Sequence, residues 1–302
     1  MVAGAIVAEL SANVRAAFPE LHFSHAALNA RGEDHLVLVL DDRYVFRFPR
    51  YGHHPTGLKL ELAVLRAMQG RCALPMPDYR YVSPAGDFAG YEMIEGVELT
   101  PPRFATLTRP AQERVLEQTA GFLSALHTLP LNAVALELGG APQAWPSGGS
   151  QAESAADGRA RRLGPIARAL PDLAPSVDNF YDRFAARPAA LERLTHSDVT
   201  CDHLLLAPSG DRLAGIIDFG DVELGDPAYD FAYLWSYGDW APGFVFDRYS
   251  LRDQDPDLLD RGFWLFARYR IARLGEALEK GWTDVASEIA ATLPAVLAEL
   301  PS

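Results

Sequence analysis

The stretch THSDVTCDHLLLAPSGDRLAGIIDFGDVELGDPAYD, residues 195–230, combines a histidine, several carboxylates and a tight turn in one short segment. Two apolar runs, residues 203–207 and 213–217, flank Pro208-Ser-Gly-Asp211, which has the composition of a turn. Short apolar runs joined in this way are typical of a β-hairpin. We therefore predict a hairpin whose carboxylates lie at the strand ends, where a fold presents functional groups.

Three side chains are expected to converge at the open end of this hairpin. A turn centred on residues 209–210 sets position 203 opposite position 217, so that His203 and Asp218 lie at the same end. Asp198 lies five residues before His203, in the loop that leads to this end. Magnesium takes hard oxygen ligands from one or two carboxylates and from substrate phosphates, and Asp218 is the natural donor. Asp198 is then free to orient and deprotonate an attacking hydroxyl, so the stretch predicts phosphoryl transfer.

Structural explanations exist for two other carboxylates of the stretch. Asp211 is a turn residue, and Asp226-Pro227 is typical of a helix N-cap followed by proline at the first helical position. A single aspartate is usually a cap or a solvated group, and a single histidine is more often structural. The joint spacing of Asp198, His203 and Asp218, with Phe-Gly after the last, favours function for these three.

These motifs resemble those of the aminoglycoside phosphotransferase family. His196-Ser-Asp198 with His203 resembles the catalytic loop of kinase-like phosphotransferases, and Asp218-Phe-Gly220 resembles their metal-binding motif. The pattern is most similar to the 2″-phosphotransferases, whose loop also carries histidine where protein kinases have asparagine. The resemblance implies that Asp198 is the catalytic base and that His203 and Asp218 are metal-side ligands. Protein kinases themselves match less well, since no Ala-Pro-Glu segment follows Asp218-Phe-Gly220.

The resemblance also implies the fold class, which is α+β and two-lobed, like that of protein kinases. A small N-terminal antiparallel-sheet lobe, residues 1–95, would bind the nucleotide. A larger and mainly helical C-terminal lobe, residues 96–302, would carry catalysis and substrate binding. The implied cofactors are Mg²⁺ and ATP or GTP as the phosphoryl donor.

A buried pair of opposite charges is predicted in the N-terminal lobe. Residues 36–40 and 43–48 form strand runs, and alternation in the second run leaves Arg47 on the face opposite its aromatic side chains. Glu61 lies on the apolar stripe of a helix that includes residues 58–68. Because a carboxylate directed inward needs a cation, Arg47 is its expected partner.

The Arg47–Glu61 pair resembles the strand lysine and helix glutamate with which kinases position nucleotide phosphates. Here an arginine stands in place of the lysine. Its planar fork differs from a compact ammonium but can bind phosphate in a bidentate manner. The alternative is an ordinary surface or interlobe ion pair.

Two further nucleotide contacts follow from position alone. Gly32 is the only glycine in the turn where kinases carry a glycine-rich loop, and no GxGxxG motif is present. Residues 90–96 are predicted to be a short strand that ends at a glycine. The resemblance implies that this strand is the hinge, where Glu92, Met93 and Ile94 would offer backbone groups to the purine.

Composition agrees with a two-lobed cytoplasmic enzyme. The chain has 302 residues, of which 49% are apolar, and lacks an apolar run long enough for a membrane span or a basic signal-peptide region. Two distant cysteines, Cys72 and Cys201, indicate a reducing compartment rather than a disulfide framework. The net charge of −13 argues against a nucleic-acid partner and is compatible with a cationic or polyhydroxylated substrate. No membrane partner is expected.

Residues 139–158 are rich in Gly, Ser, Pro and Ala, which predicts a loop inside the larger lobe, either functional or an idle insertion. Substrate contacts are expected from the C-terminal helices. The candidates are Trp235, Asp239, Trp240, Glu276, Trp282 and Asp284.

Three hypotheses remain open at this point. The first is a magnesium-dependent kinase acting on a hydroxyl of an aminoglycoside. The second is a kinase of the same fold for another hydroxyl compound, such as a sugar, an amino alcohol or a macrolide. The third is a catalytically dead kinase-like binding module.

Overall fold

The computed structural model describes residues 2–29, 35–50, 55–142, 145–147, 150–187 and 192–301. In chain order, the elements of the N-terminal lobe are α1 (Val2–Ala17), β1 (Ala26–Asn29), β2 (His35–Leu40), β3 (Tyr44–Pro49), α2 (Pro55–Met68), β4 (Tyr81–Val82) and β5 (Ala89–Glu92). Within the described residues, these strands form one antiparallel sheet in the order β1-β2-β3-β5-β4.

The central strand β3 separates two apolar clusters because its side chains alternate. Tyr44, Phe46 and Phe48 pack with α1 and with Phe18, which directly follows it, on one face of the sheet. Val45 joins the main core on the other face. Arg47, also on this second face, is therefore directed toward α2, as the alternation predicted.

The C-terminal lobe is mainly helical. In chain order, its elements are β6 (Val97–Glu98), α3 (Pro101–Thr106), α4 (Arg109–His127), α5 (Leu131–Glu137), α6 (Gln151–Ala169), α7 (Ala174–Ala185), β7 (Arg193–Thr195), β8 (Leu204–Leu206), β9 (Leu213–Ile216), β10 (Glu223–Gly225), α8 (Tyr229–Ala232), α9 (Trp240–Phe246), α10 (Leu258–Lys280) and α11 (Thr283–Ala298). Two 3-10 helices, Tyr233–Tyr237 and Arg252–Gln254, precede α9 and α10. The two-lobed α+β arrangement is thus the one expected from the sequence.

Two small sheets carry the loops of the C-terminal lobe. One contains the strands β6, β8 and β9, and the other pairs β7 with β10. The chain enters this lobe at Val97, which pairs with Leu206 of β8. Gly96, just before it, approaches Leu206 so closely that a Cβ would lie 2.9 Å from that carbonyl oxygen. The division of the lobes between residues 95 and 96 stays our proposal.

The segment 139–158 is a loop only in part, which corrects the sequence prediction. The helix α6 begins at Gln151, and Ser150 and Glu153 form a capping box at its start. Before the helix, the carbonyl of Pro146 accepts a 2.8 Å hydrogen bond from the Leu224 amide. Local capping, which composition does not report, decides where this loop ends.

Across the described ranges, no single helix is both long and apolar enough to cross a membrane. The helices α4 and α5 reach the length and apolar composition of a membrane span only when they are taken together, and the pair is bent between them.

Candidate active site

The β8–β9 hairpin sets the geometry of the site. Leu204 pairs with Ile216, and the Ile217 amide donates a 3.0 Å hydrogen bond to the His203 carbonyl. Position 203 therefore lies opposite position 217, as predicted. As a result, His203 and Asp218 leave the hairpin at the same end, with 3.6 Å between His203 Nε2 and Asp218 Oδ2.

The loop before the hairpin brings Asp198 to the same point. His203 Nδ1 lies 2.8 Å from the Asp198 carbonyl oxygen and 3.2 Å from its Oδ2. Since a carbonyl can only accept, Nδ1 carries a proton, and Nε2 is the ring nitrogen on the side of Asp218. The histidine thus links the loop aspartate to the aspartate that follows the hairpin.

The two aspartates have pKa values shifted in opposite directions. Burial raises the pKa of Asp198 to about 6, opposed by His203 and supported by the neighbouring carboxylates of Asp221, Asp218 and Asp202. Burial also acts to raise the pKa of Asp218, but the charge of Arg47, with His203, outweighs it and holds that pKa below its usual value. Asp218 is thus the firmly ionised carboxylate, whereas Asp198 has the properties of a proton acceptor.

Arg47 joins the N-terminal lobe to this site. Its Nη1 donates to Glu61 Oε1 at 2.8 Å, and its Nη2 donates to Asp218 Oδ1 at 2.6 Å. The Arg47 and Glu61 side chains are 6% and 0% exposed, so this pair is buried rather than a surface contact. Tyr79 adds a 2.8 Å hydrogen bond to the same Glu61 oxygen. The arginine fork therefore holds a carboxylate of each lobe at once.

A cavity of about 640 Å³ lies between the lobes beside these residues. Arg47, His203 and Asp218 line one part of it, and Met93 and Ile94 line another. Strand β5 ends at Glu92, earlier than predicted, and Glu92 pairs with the exposed Arg43 at 3.5 Å instead of lining the cavity. The Met93 amide already donates to the Arg43 carbonyl at 2.7 Å.

Of the remaining nucleotide-side predictions, Gly32 lies outside the described residues. The hinge prediction is thus narrowed to the backbone of Ile94 and the carbonyl of Met93, because the Met93 amide is engaged and Glu92 lies outside the cavity.

A second cavity, of about 760 Å³, opens on the other side of Asp198. Asp202 lines both cavities, which places the loop before β8 at their boundary. Of the proposed substrate residues, Glu276 and Trp282 line the second cavity. We call it the acceptor cavity.

Four other proposed substrate residues lie elsewhere, among them Asp284, which is exposed and does not line the acceptor cavity. Trp235 stacks on Phe266 with 6.1 Å between ring centroids. Trp240 lies under the Arg109 guanidinium at 3.4 Å, and Asp239 is exposed just before α9. Trp235 and Trp240 therefore have packing roles, although they lie close to the motif in sequence.

Asp230 is a site residue to which the sequence reasoning gave no role. It is fully buried, and its carboxylate accepts hydrogen bonds from the His196 and Ser197 amides, both at 2.8 Å. His127 Nε2 lies 2.9 Å from the same carboxylate. Ser197 has a positive φ of 66°, a strained conformation that these bonds hold in place. Asp230 is the final residue of the GDPAYD motif, and this position was the sequence signal that could have identified it.

Asp226 is structural, but it is not the predicted helix N-cap, since Ala228 occupies that position. The helix α8 begins at Tyr229, and Asp226 accepts the Ala228 amide at 2.9 Å in the turn before it. Its carboxylate also accepts two hydrogen bonds from Arg261, at 2.8 and 3.0 Å. Arg261 is shared with Asp255, so Asp226 ties this turn to α10.

The described residues supply only part of a Mg²⁺ ligand set at this site. Within the described part of the chain, no group of three or more ligating side chains is close enough to hold a metal by itself. Magnesium is commonly bound through one or two protein groups and the substrate phosphates. The Asp218 carboxylate fits such a partial site, and His203 Nε2 fits it when the ring is neutral.

Comparison with known proteins gives a family and a fold. The family model described as "Phosphotransferase enzyme family" matches residues 25–270. The GDP complex of wild-type aminoglycoside 2′-phosphotransferase-IIIa is 22% identical and has a TM-score of 0.75, with coverage of 97% of this chain and 98% of that chain. The GDP and kanamycin complex of APH(2″)-IIIa is 24% identical and has a TM-score of 0.74, with coverage of 96% and 98%.

A third similar structure is a macrolide 2′-phosphotransferase of type I, which is 19% identical and has a TM-score of 0.60, with coverage of 97% of each chain. At these identities the structural likeness shows the fold. Together with the family match, it confirms the resemblance inferred from the motifs of residues 195–230.

Proposed function

Because the chain belongs to the phosphotransferase enzyme family, we propose that it transfers the γ-phosphate of ATP or GTP to a hydroxyl of a small molecule. The observation that carries this proposal is the position of Asp198, which lines the acceptor cavity and lies 3.2 Å from His203, a residue that lines the interlobe cavity. Asp218 and His203 lie on the interlobe side, and the acceptor cavity lies on the other side. A donor and an acceptor can thus meet at one carboxylate.

The donor is a nucleoside triphosphate in this proposal. Related structures were solved with GDP, and one as a ternary complex with ATP and streptomycin. In this chain, the interlobe cavity would hold the base beside Met93 and Ile94 and the phosphates beside Arg47 and Asp218. Glu61 fixes the direction of the Arg47 fork.

Asp198 would orient the acceptor hydroxyl and accept its proton as the hydroxyl attacks the γ-phosphorus in line. With a pKa of about 6, this carboxylate is mostly ionised at neutral pH, yet basic enough to accept a proton. Asp218 and His203 Nε2 would hold Mg²⁺, which supplies charge neutralisation on the phosphates when bound. Arg47 would add a fixed positive charge on the same side.

The acceptor in this proposal is a small molecule with a hydroxyl group. The aminoglycoside expected from the sequence is one candidate, since related structures hold kanamycin or gentamicin. A macrolide, a sugar or an amino alcohol is another, and macrolide phosphotransferases are among the similar structures.

The experiment is an assay of nucleoside diphosphate release with Mg²⁺, ATP or GTP and a panel of hydroxyl acceptors. Asp198→Asn should lower kcat by about 10²–10⁴ because the proton acceptor is lost, while nucleotide affinity stays near the wild-type value. Asp239→Asn, an exposed carboxylate outside both cavities, is the matched control. A D198N variant as active as wild type would remove Asp198 from its role.

The assay also separates the enzyme from a dead binding module. A module would bind nucleotide, as measured by calorimetry, without acceptor-dependent release of diphosphate. If neither nucleotide binding nor turnover is found with any acceptor, the proposed function is wrong.

A further inference from the structure

The acceptor cavity carries as many basic as acidic side chains among the described residues that line it. The acidic ones are Asp198, Asp202, Glu276 and Glu288. The basic ones are Arg162, Arg270, Arg273 and Lys280. A site built for a molecule with several ammonium groups would be expected to present mostly carboxylates.

The charges are divided between the two ends of the cavity. Asp198 and Asp202 belong to the catalytic loop. All four basic residues belong to α6 and α10, at the remote end, together with Glu276 of α10 and Glu288 of α11. The remote end therefore has more cations than carboxylates.

The Glu276 carboxylate is already neutralised by two cations. Its Oε2 accepts from Arg273 Nη1 at 2.9 Å, and its Oε1 accepts from Lys280 Nζ at 2.6 Å. A substrate ammonium would have to displace one of these partners to reach it. Glu288 is 71% exposed and lies 3.6 Å from Arg270 Nη1, so it is also close to a cation.

The arginines also have carboxylate partners, since Arg162 Nη1 donates to Glu279 at 3.2 Å and Arg270 Nη1 lies 3.6 Å from Glu288, but they have more N–H groups than these contacts use. A guanidinium has five N–H donors, and Arg273 uses one of them for Glu276 while its side chain remains 39% exposed. Trp282 lies beside it, with the Arg273 guanidinium 4.7 Å and the Lys280 ammonium 4.9 Å from its ring. A planar fork next to a half-exposed aromatic face suits a carboxylate, phosphate or sulfate on a ring-shaped molecule.

We propose that the acceptor of this enzyme carries an anionic group besides its reacting hydroxyl, and that Arg162, Arg270 and Arg273 bind that group at the remote end of the acceptor cavity. This proposal rests on the proposed phosphotransferase function. A polycationic aminoglycoside would place ammonium groups against these arginines, and such like-charge contacts weaken binding.

The test measures binding with the nucleotide site filled by Mg²⁺ and a non-hydrolysable nucleotide triphosphate. The probes share one scaffold and differ in charge: glucose, glucosamine, glucuronate and glucose 6-phosphate, with kanamycin as the polycation. At least one anionic probe should bind tenfold or more tightly than glucosamine and kanamycin, as measured by titration calorimetry. If no anionic probe binds more tightly than kanamycin, the proposal is overturned.

Charge reversal gives a second readout that loss of folding cannot imitate. Arg273→Glu should weaken binding of the anionic probe at least tenfold and strengthen binding of kanamycin, while nucleotide affinity is unchanged. Arg114→Glu is the matched control, because Arg114 lies outside the cavity lining and pairs with Asp211 on the hairpin turn. If R273E and R114E bind the anionic probe equally well, the arginine wall does not recognise the acceptor.

Failure of this inference differs from failure of the proposed function. Nucleotide binding and acceptor-dependent diphosphate release that favour kanamycin would overturn the inference and leave the phosphotransferase intact. Loss of both nucleotide binding and release would overturn the function itself.

Discussion

At the scale of single residues, Arg47 is the side chain on which most of the site depends. Its two terminal nitrogens contact different carboxylates, Glu61 at 2.8 Å and Asp218 at 2.6 Å. A lysine has one ammonium nitrogen and no fixed plane, so it cannot reproduce a fork that spans two acceptors. The arginine is therefore a structural solution to holding a carboxylate from each lobe.

Arg47→Lys should raise the KM for the nucleotide about tenfold, because one of its two charged hydrogen bonds is lengthened, at a cost of about 1.5 kcal/mol. Arg43→Lys, an exposed arginine next to the start of the same strand, should leave this KM unchanged. Steady-state kinetics at saturating acceptor measures both. Equal KM values in the two variants would show that the fork is not required.

His196 should make the free energy of unfolding depend on pH. Burial lowers the pKa of His196 to about 4, against an opposing contribution from Asp230. Because the folded-state pKa lies below the unfolded value of 6.5, the neutral ring stabilises the fold above pH 6.5. That stability is lost as the pH falls from 6.5 through about 4, by up to about 1.4 kcal/mol per pH unit.

The check compares urea unfolding of wild type and His196→Gln from pH 7.5 to 4.5. The free energy of unfolding of wild type should fall more steeply below pH 6.5 than that of the variant, since glutamine does not titrate. All other titrating groups are common to both proteins. Parallel curves would contradict a neutral buried His196.

At the scale of elements, the site is a hairpin and a loop held by their neighbours. The Pro75 carbonyl accepts the Ile216 amide at 3.0 Å, which fixes β9 against the segment before β4. Asp230 fixes the loop before β8 through two backbone amides. Both contacts come from distant parts of the chain, so the positions of Asp198 and Asp218 depend on packing beyond the hairpin.

Gly215→Ala should separate β9 from Pro75 and from Ile94 of the proposed hinge. A Cβ at Gly215 would lie 2.7 Å from the Pro75 carbonyl oxygen and 2.9 Å from Ile94 Cγ2. Since the Pro75 carbonyl is held by Ile216, we expect a destabilisation of about 1–3 kcal/mol and weaker nucleotide binding. Chemical denaturation and nucleotide titration measure the two effects.

The matched control is Gly121→Ala in α4, where a Cβ meets nothing within 4 Å. There the substitution should stabilise the protein by about 0.5–1 kcal/mol through helix propensity. If G215A is as harmless as G121A, the close approach does not constrain the hinge.

At the scale of the whole molecule, the two lobes are joined by charged side chains that would also contact a bound metal and its phosphates. Arg47 of the sheet lobe contacts Asp218 of the helical lobe directly, and the interlobe cavity opens beside them. A ligand that binds both lobes should therefore stabilise the fold as a unit.

We expect a nucleotide triphosphate at one hundred times its dissociation constant to add about 2.7 kcal/mol of stability when Mg²⁺ is present. Removal of Mg²⁺ with EDTA should abolish most of this gain in wild type. Asp218→Asn should show little difference between the two conditions, whereas Asp239→Asn should behave like wild type. Thermal denaturation with and without EDTA measures this gain in stability. If EDTA lowers the stability of D218N as much as that of wild type, Asp218 is not a metal ligand.

Local pattern was sufficient for much of the fold and part of the site. The turn between residues 207 and 213 set the hairpin register, and strand alternation with a helical stripe paired Arg47 with Glu61. The prediction of substrate-contacting residues was weaker, because it rested on residue type alone. Trp235 and Trp240 are aromatic residues near a motif, but they pack against Phe266 and Arg109 and do not line the acceptor cavity.

The reaction chemistry expected of this chain can be predicted from residues 195–230 alone, because the hairpin and its flanking carboxylates all lie within them. Periodicity and turn composition depend on residues that are close in sequence, so they can be recognised without knowing which distant residues pack against them. Packing between distant segments, in contrast, is what makes Asp230 the anchor of the loop before β8 and what brings Arg273 and Lys280 to Glu276. The charge of the acceptor cavity is a sum over α6, α10 and α11, and residues far apart in sequence contribute to it only once the helices are packed.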